Sequence, residues 1–249
     1  MKSTVILAVA SAFAPLVSAH GYVTQAVVNG VTWPGWNPNV DPYLSPTPQR
    51  IFRKIPGNGP VIDLSLIDVQ CNGYTDGGFA TAPAALSANV TAGSTVSLTW
   101  TQWPDSHKGP LITYMAKCPG SCTNYSPGTA KVWFKVAQAG KSSSGVWATT
   151  PYETLPVPAY TFTIPSGLAA GNYIVRHEII ALHAAYVYPG AQVYPSCFQV
   201  TVGGSGTRAP ASSYLVSFPG AYTASTPGIV YDMYTNTGTY PIPGPALFT

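Results

Sequence analysis

Four histidines, His20, His107, His177 and His183, are the side chains of this chain best suited to hold a metal. His20 stands apart because of what precedes it. Lys2 gives a small positive start, Val5 to Val17 an apolar stretch, and Val17-Ser18-Ala19 a small-residue cleavage pattern, which together read as a secretory signal peptide over residues 1–19. Cleavage after Ala19 makes His20 the first residue. A terminal histidine then offers two nitrogens at once, its α-amine and its ring Nδ1, and an amine with a reference pKa near 8 releases its proton to a metal at mild cost. One further imidazole completes three nitrogens. Nitrogen donors in a tetragonal arrangement point to Cu(II).

Competing chemistries find less support. His177-Glu178-Ile-Ile-Ala-Leu-His183 has the wrong spacing for a zinc-protease helix, and its Val/Ile-rich surroundings predict a strand, on which Glu178 points away from both histidines. His177 is therefore read as structural. Glycoside hydrolysis needs two placed carboxylates, and no spacing singles out a pair among Asp41, Asp63, Asp68, Asp76, Asp105, Glu153, Glu178 and Asp232. Four cysteines in an oxidising compartment imply two disulfides with three pairings open. The Pro-Gly turn inside Cys118-Pro-Gly-Ser-Cys122 makes a local bridge easy, which pairs Cys71 with Cys197. Asn89-Val-Thr and Asn124-Tyr-Ser are glycosylation acceptors where exposed. In Gln192-Val-Tyr194 strand parity sends the phenol and the amide to one face, with Val193 and Cys197 on the other.

The elements that must hold these residues are strands. Charged residues make up 8% of the 249, against about 25% in ordinary domains, while Gly (24) and Pro (25) recur throughout. Long surface helices lack both their solvent face and freedom from proline. Period-two or β-branched runs recur at Tyr22–Val28, Val61–Val69, Thr95–Trp103, Leu111–Ala116, Ala130–Ala137, Tyr160–Ile164, Tyr173–Leu182 and Phe198–Val202. This is the pattern of an all-β, immunoglobulin/fibronectin-like antiparallel β-sandwich with long surface loops. Residues 20–249 read as a single catalytic domain with no separate carbohydrate-binding module, and the Pro-rich stretches Trp33–Pro60 and Ser205–Thr249 as functional loops. A formal charge of +3 excludes phosphate-driven nucleic-acid binding, and after residue 19 no apolar run approaches a membrane span of about 20 residues.

Five ordered blocks carry a resemblance. They are His20-Gly; Asp105-Ser-His107-Lys-Gly-Pro-Leu-Ile-Thr-Tyr-Met-Ala-Lys-Cys118; Arg176-His-Glu-Ile-Ile-Ala-Leu-His183-Ala; Gly190-Ala-Gln192-Val-Tyr194-Pro-Ser-Cys197; and Tyr240-Pro-Ile-Pro-Gly-Pro245. In these the mature chain resembles the fungal, cellulose-active, copper-dependent lytic polysaccharide monooxygenases, once classed as glycoside hydrolases. The resemblance implies a histidine brace: one copper ion held by the amine and ring of His20 and the ring of His107, with Tyr194 axial. His183 and Gln192 form an outer shell that hydrogen-bonds oxygen species near the metal. It further implies a flat face on β-glucan, oxidation at C1 or C4, and an external electron donor with O₂ or H₂O₂; the leader reading makes the chain secreted, and a monomer is expected. Tyr22 and Tyr240 are the aromatic residues expected to stack on sugar rings, the register of the second being open among Tyr231, Tyr234 and Tyr240. A non-catalytic copper carrier is disfavoured because carriage does not require the outer shell.

Overall fold

A computed structural model describes residues 20–249; the signal-peptide reading of residues 1–19 lies outside the described residues. Nine strands form two sheets: β1 Val23–Val28, β2 Val31–Pro34, β3 Ala88–Thr91, β4 Thr95–Trp100, β5 Leu111–Lys117, β6 Trp133–Ala139, β7 Tyr160–Thr163, β8 Gly171–Ala181 and β9 Gln192–Gly203. One sheet runs β2-β1-β4-β7 and the other β3-β9-β8-β5-β6. All neighbours are antiparallel except β3, which lies parallel to β9. Among the described residues there is no α-helix, and no helix is long and apolar enough to cross a membrane.

Two expectations shift. The run Val61–Val69 is not a strand: Val61 makes a single bridge to Val193, and Ile67–Gln70 is a 3₁₀ turn. Polar side chains bond the local backbone instead, Asp63 accepting from Ser65 N at 2.9 Å and Asp68 from Thr75 N at 3.0 Å, and so compete with a ladder. Conversely, β2 was hidden in a loop, although Asn29-Gly30, both with positive φ, supplies the two-residue turn that closes β1 onto β2.

The five-stranded sheet is buried on both faces. Between the sheets lie Val96, Leu98, Trp100, Met115, Val175, Ile179, Phe198 and Val200. On the outer face, Ile112, Tyr114, Trp133, Ile174, Ile180 and Val193 meet Phe218, Tyr222, Ile229 and Tyr240 from the Pro-rich C-terminal segment. Double coverage explains why β8 carries nine successive buried residues instead of an alternation. Disulfides Cys71–Cys197 and Cys118–Cys122 tie the coverings down, and no free cysteine is present among the described residues.

Candidate metal centre

Topology brings the singled-out residues to one end of the sandwich. Val23 at the start of β1 pairs with Trp100 at the end of β4, so His20 and the β4–β5 loop that carries His107 emerge together. A bulge between Val23 and Gln25 re-aims the chain there. Ala181 at the end of β8 pairs with Gln192 at the start of β9, which sets the intervening loop and its His183 beside Gln192 and Tyr194. The two loops are laced by Leu182 N to Lys108 O at 2.9 Å and Ile180 N to Pro110 O at 3.2 Å. Gly109 is required at this crossing, because a Cβ there would run into the Ile180 carbonyl.

The rings of His20 and His107 lie 6.0 Å apart between centroids, at 90°. The Tyr194 ring is 6.0 Å from His20 and 6.4 Å from His107, and His183 sits 4.0 Å from His107. Two imidazole nitrogens each about 2 Å from one ion put ring centroids about 6 Å apart, so the His20–His107 spacing fits a shared metal. Protonation fits as well. Desolvation, then the neighbouring His183 and His20, lower the His107 pKa to about 4, and a ligand must be neutral to bind. Its Nδ1 is 2.9 Å from Ser106 Oγ, which leaves Nε2 for the metal. Among the described residues no cage of three or more His, Cys, Asp or Glu side chains is present.

The groups around these rings are apolar or singly engaged. Tyr194, 1% exposed, donates to Gln192 Oε1 at 2.8 Å, and burial pushes its phenol pKa up, so it stays protonated. Burial and His20 lower the His183 pKa, and its Nδ1 is buried with no partner. An orphaned buried nitrogen at such a site signals a group still to be supplied. Ser106 and the buried Trp103, which donates from Nε1 to the His107 carbonyl at 2.7 Å, also bond His107 and were not singled out in the sequence. Both lie within four residues of His107, which was the available signal.

His177 is the structural histidine expected. It accepts from Trp100 Nε1 at 3.1 Å, which places its proton on Nδ1, facing Thr113 Oγ1 at 2.9 Å. Tyr22 is half-buried on the inner core, its phenol pKa raised by burial and by Asp41. Tyr240 is a correction. It is 3% exposed, packs on Trp147 and Tyr231, and donates to Gly228 O at 2.7 Å, so it serves the outer core and presents no stacking face. Tyr234 in the same segment is 67% exposed, and Tyr231 N bonds Ala185 O at 2.8 Å, which holds that segment against the His183 loop. Tyr186 and Tyr188 on the His183 loop and Tyr43, two residues beyond Asp41, are exposed too. Asn89 and Asn124 are both exposed.

Two facing imidazoles, a buried phenol and an outer histidine thus meet at one end of a β-sandwich, and comparison narrows the class. The profile of Auxiliary Activity family 9 (formerly GH61) matches residues 20–240. The chain is 59% identical to AA9 family lytic polysaccharide monooxygenase B of Malbranchea cinnamomea, over 100% of this chain and 99% of that protein. It is 57% identical to AA9 family lytic polysaccharide monooxygenase F of Botryotinia fuckeliana, over 95% of each. Among solved structures, Cel61B of Hypocrea jecorina, described as a glycoside hydrolase family 61 member, superposes with TM-score 0.81 at 32% identity, over 92% of this chain and 100% of that one. A cellulose-active polysaccharide monooxygenase of M. thermophila superposes with TM-score 0.78 at 34% identity, over 92% and 99%. The chain belongs to Auxiliary Activity family 9.

Proposed function

We propose that residues 20–249 form one catalytic domain of a secreted, copper-dependent monooxygenase that cleaves polysaccharides oxidatively, with cellulose and related β-1,4-glucans as substrates. The His20 amine and ring and His107 Nε2 hold the copper, with the Tyr194 phenol beside them. Copper, when bound, supplies one-electron redox chemistry toward the strong C–H bond at C1 or C4 of the sugar, with an external donor and O₂ or H₂O₂ as co-substrates. The chain's own groups do the rest. Ser106 fixes the His107 ring through Nδ1, as outer partners of metal-ligating histidines do. Tyr194 keeps its proton and passes its hydrogen bond to Gln192, which orients the amide. His183, kept neutral by burial, can hold or hand over one proton at a ring nitrogen. Exposed tyrosines on the surrounding loops offer flat apolar faces to sugar rings.

The observation that carries this reading is the meeting of the His20, His107 and Tyr194 rings at spacings of 6.0 to 6.4 Å in a chain of this family. Mass spectrometry of products tests it, using copper-loaded protein with ascorbate and cellulose. Oligosaccharides bearing aldonic-acid or C4-keto ends are expected; products with ordinary reducing ends alone would mean hydrolysis and overturn it. In the same assay His183→Ala is expected to abolish oxidation while copper affinity stays near normal.

A further inference from the structure

Several features outside the described chemistry invite a role, and the one the geometry carries furthest is Trp103. We propose that Trp103 is the positioning residue of the metal centre, one side chain that sets the angle between the two histidine ligands; this rests on the brace reading above. It is 1% exposed and touches every segment that brings a ligand in. Its Nε1 donates to the His107 carbonyl at 2.7 Å, which holds the backbone of one ligand, and its ring meets the His107 ring edge-on at 6.0 Å and 88°. Its ring meets Tyr194 edge-on at 4.9 Å and 84°. On the other side it abuts the residue next to His20: a Cβ on Gly21 would lie 3.0 Å from Trp103 Cε3, 3.2 Å from Cζ3 and 2.7 Å from Thr101 Oγ1. Thr101 completes that clamp by exchanging bonds with Tyr22, Thr101 N to Tyr22 O at 3.0 Å and Tyr22 N to Thr101 Oγ1 at 3.2 Å.

Trp103 is itself immobilised. Its amide donates to Tyr152 O at 2.8 Å, and Trp100, anchored to His177, packs on it at 5.6 Å and 79°. No aliphatic side chain could replace it, because the role needs a long flat body between Gly21 and Tyr194 and a donor at its far edge. Phenylalanine keeps most of the body and loses the donor, while alanine at 21 keeps the donor, displaces Thr101 and presses on the indole edge. The two changes attack one device from opposite sides.

The test is copper titration by calorimetry with cupric electron paramagnetic resonance, on protein beginning at His20. Trp103→Phe is expected to weaken Cu(II) binding about tenfold, the low end for losing an outer-shell partner, and to alter the copper hyperfine splitting. Gly21→Ala is expected to alter the splitting in a fold whose copper-free melting temperature stays near that of the parent. Trp133→Phe, a buried ring on the far side of the five-stranded sheet whose Nε1 has no partner, is expected to leave affinity and spectrum unchanged. A folded Trp103→Phe with parental affinity and spectrum would overturn the inference; should that variant fail to fold, an unchanged spectrum for Gly21→Ala would overturn it equally. A parent protein lacking a three-nitrogen signal would instead overturn the brace itself.

Discussion

The two faces of β8 solve opposite problems. On the inner face, Val175, His177 and Ile179 look into the space between the sheets, and the polar member is a neutral histidine bonded to Trp100 and Thr113. On the outer face, Arg176 and Glu178 form a salt bridge 2.7 Å long with 0% exposure of either side chain. Arg176 also donates to Val69 O and Gln70 O at 2.8 and 3.0 Å and lies 3.9 Å over the Phe218 ring, while Tyr222 donates to Glu178. The inner face meets another sheet, whose backbone is already paired. The outer face meets irregular chain, whose carbonyls and hydroxyls must find partners, and a buried ion pair supplies them. Regular structure can be covered by shape alone, whereas irregular cover must be pinned by polar groups.

Breaking the outer pair gives the largest effect expected from that contrast. Glu178→Ala leaves a buried guanidinium uncompensated and should cost about 3–5 kcal/mol in urea unfolding. Replacing both partners, Arg176→Met with Glu178→Leu, should cost clearly less; equal losses would show that the pair is not the pin. Next comes the disulfide Cys71–Cys197, which joins the outer cover to β9 across a separation of 126 residues. Its removal by paired serines should cost about 2–5 kcal/mol, and removal of Cys118–Cys122, with a separation of 4, less.

The inner face shows itself through pH. Burial first, then Arg176, lowers the His177 pKa to about 3, against about 6.5 in an unfolded chain. Between those values the unfolded state binds the extra proton, so this contribution to stability is complete above about pH 6.5 and is lost as pH falls toward 3. His177→Gln should therefore flatten the acid limb of stability against pH by up to about 1.4 kcal/mol per unit. A parallel limb would place the titration elsewhere. Smallest is Tyr240→Phe, which removes the bond to Gly228 O and should cost about 1 kcal/mol with no change in cellulose binding. Tyr234→Ala should do the reverse, with stability within about 0.5 kcal/mol of the parent and weaker binding.

Legibility in the sequence follows the same contrast. The alternation Thr95-Val-Ser-Leu-Thr-Trp100 marks β4 because one face is buried against the other sheet. Beyond Pro34, segments 33–60 and 205–249 hold only short 3₁₀ turns and isolated bridges and so show no period, and their buried Phe52, Phe218 and Tyr240 could not be told from surface aromatics. That is why the register among Tyr231, Tyr234 and Tyr240 stayed open in the sequence, whereas in the fold only Tyr234 of the three is exposed. The site candidates were legible by type and block, His20 by its place after a cleavage pattern, and the ligand candidate His107 and the outer-shell candidate His183 by the blocks around them. The crossing that brings them together was not legible, since it depends on the Val23–Trp100 and Ala181–Gln192 registers.

The central claim is that a processed His20 supplies two nitrogens to a copper ion and His107 the third. Electron paramagnetic resonance of the cupric protein beginning at His20, beside a variant with one alanine ahead of it, tests this most directly. A type-2 signal split by three nitrogens in the first and its loss in the second is the predicted result; the same signal in both, or no nitrogen splitting in the first, would contradict it.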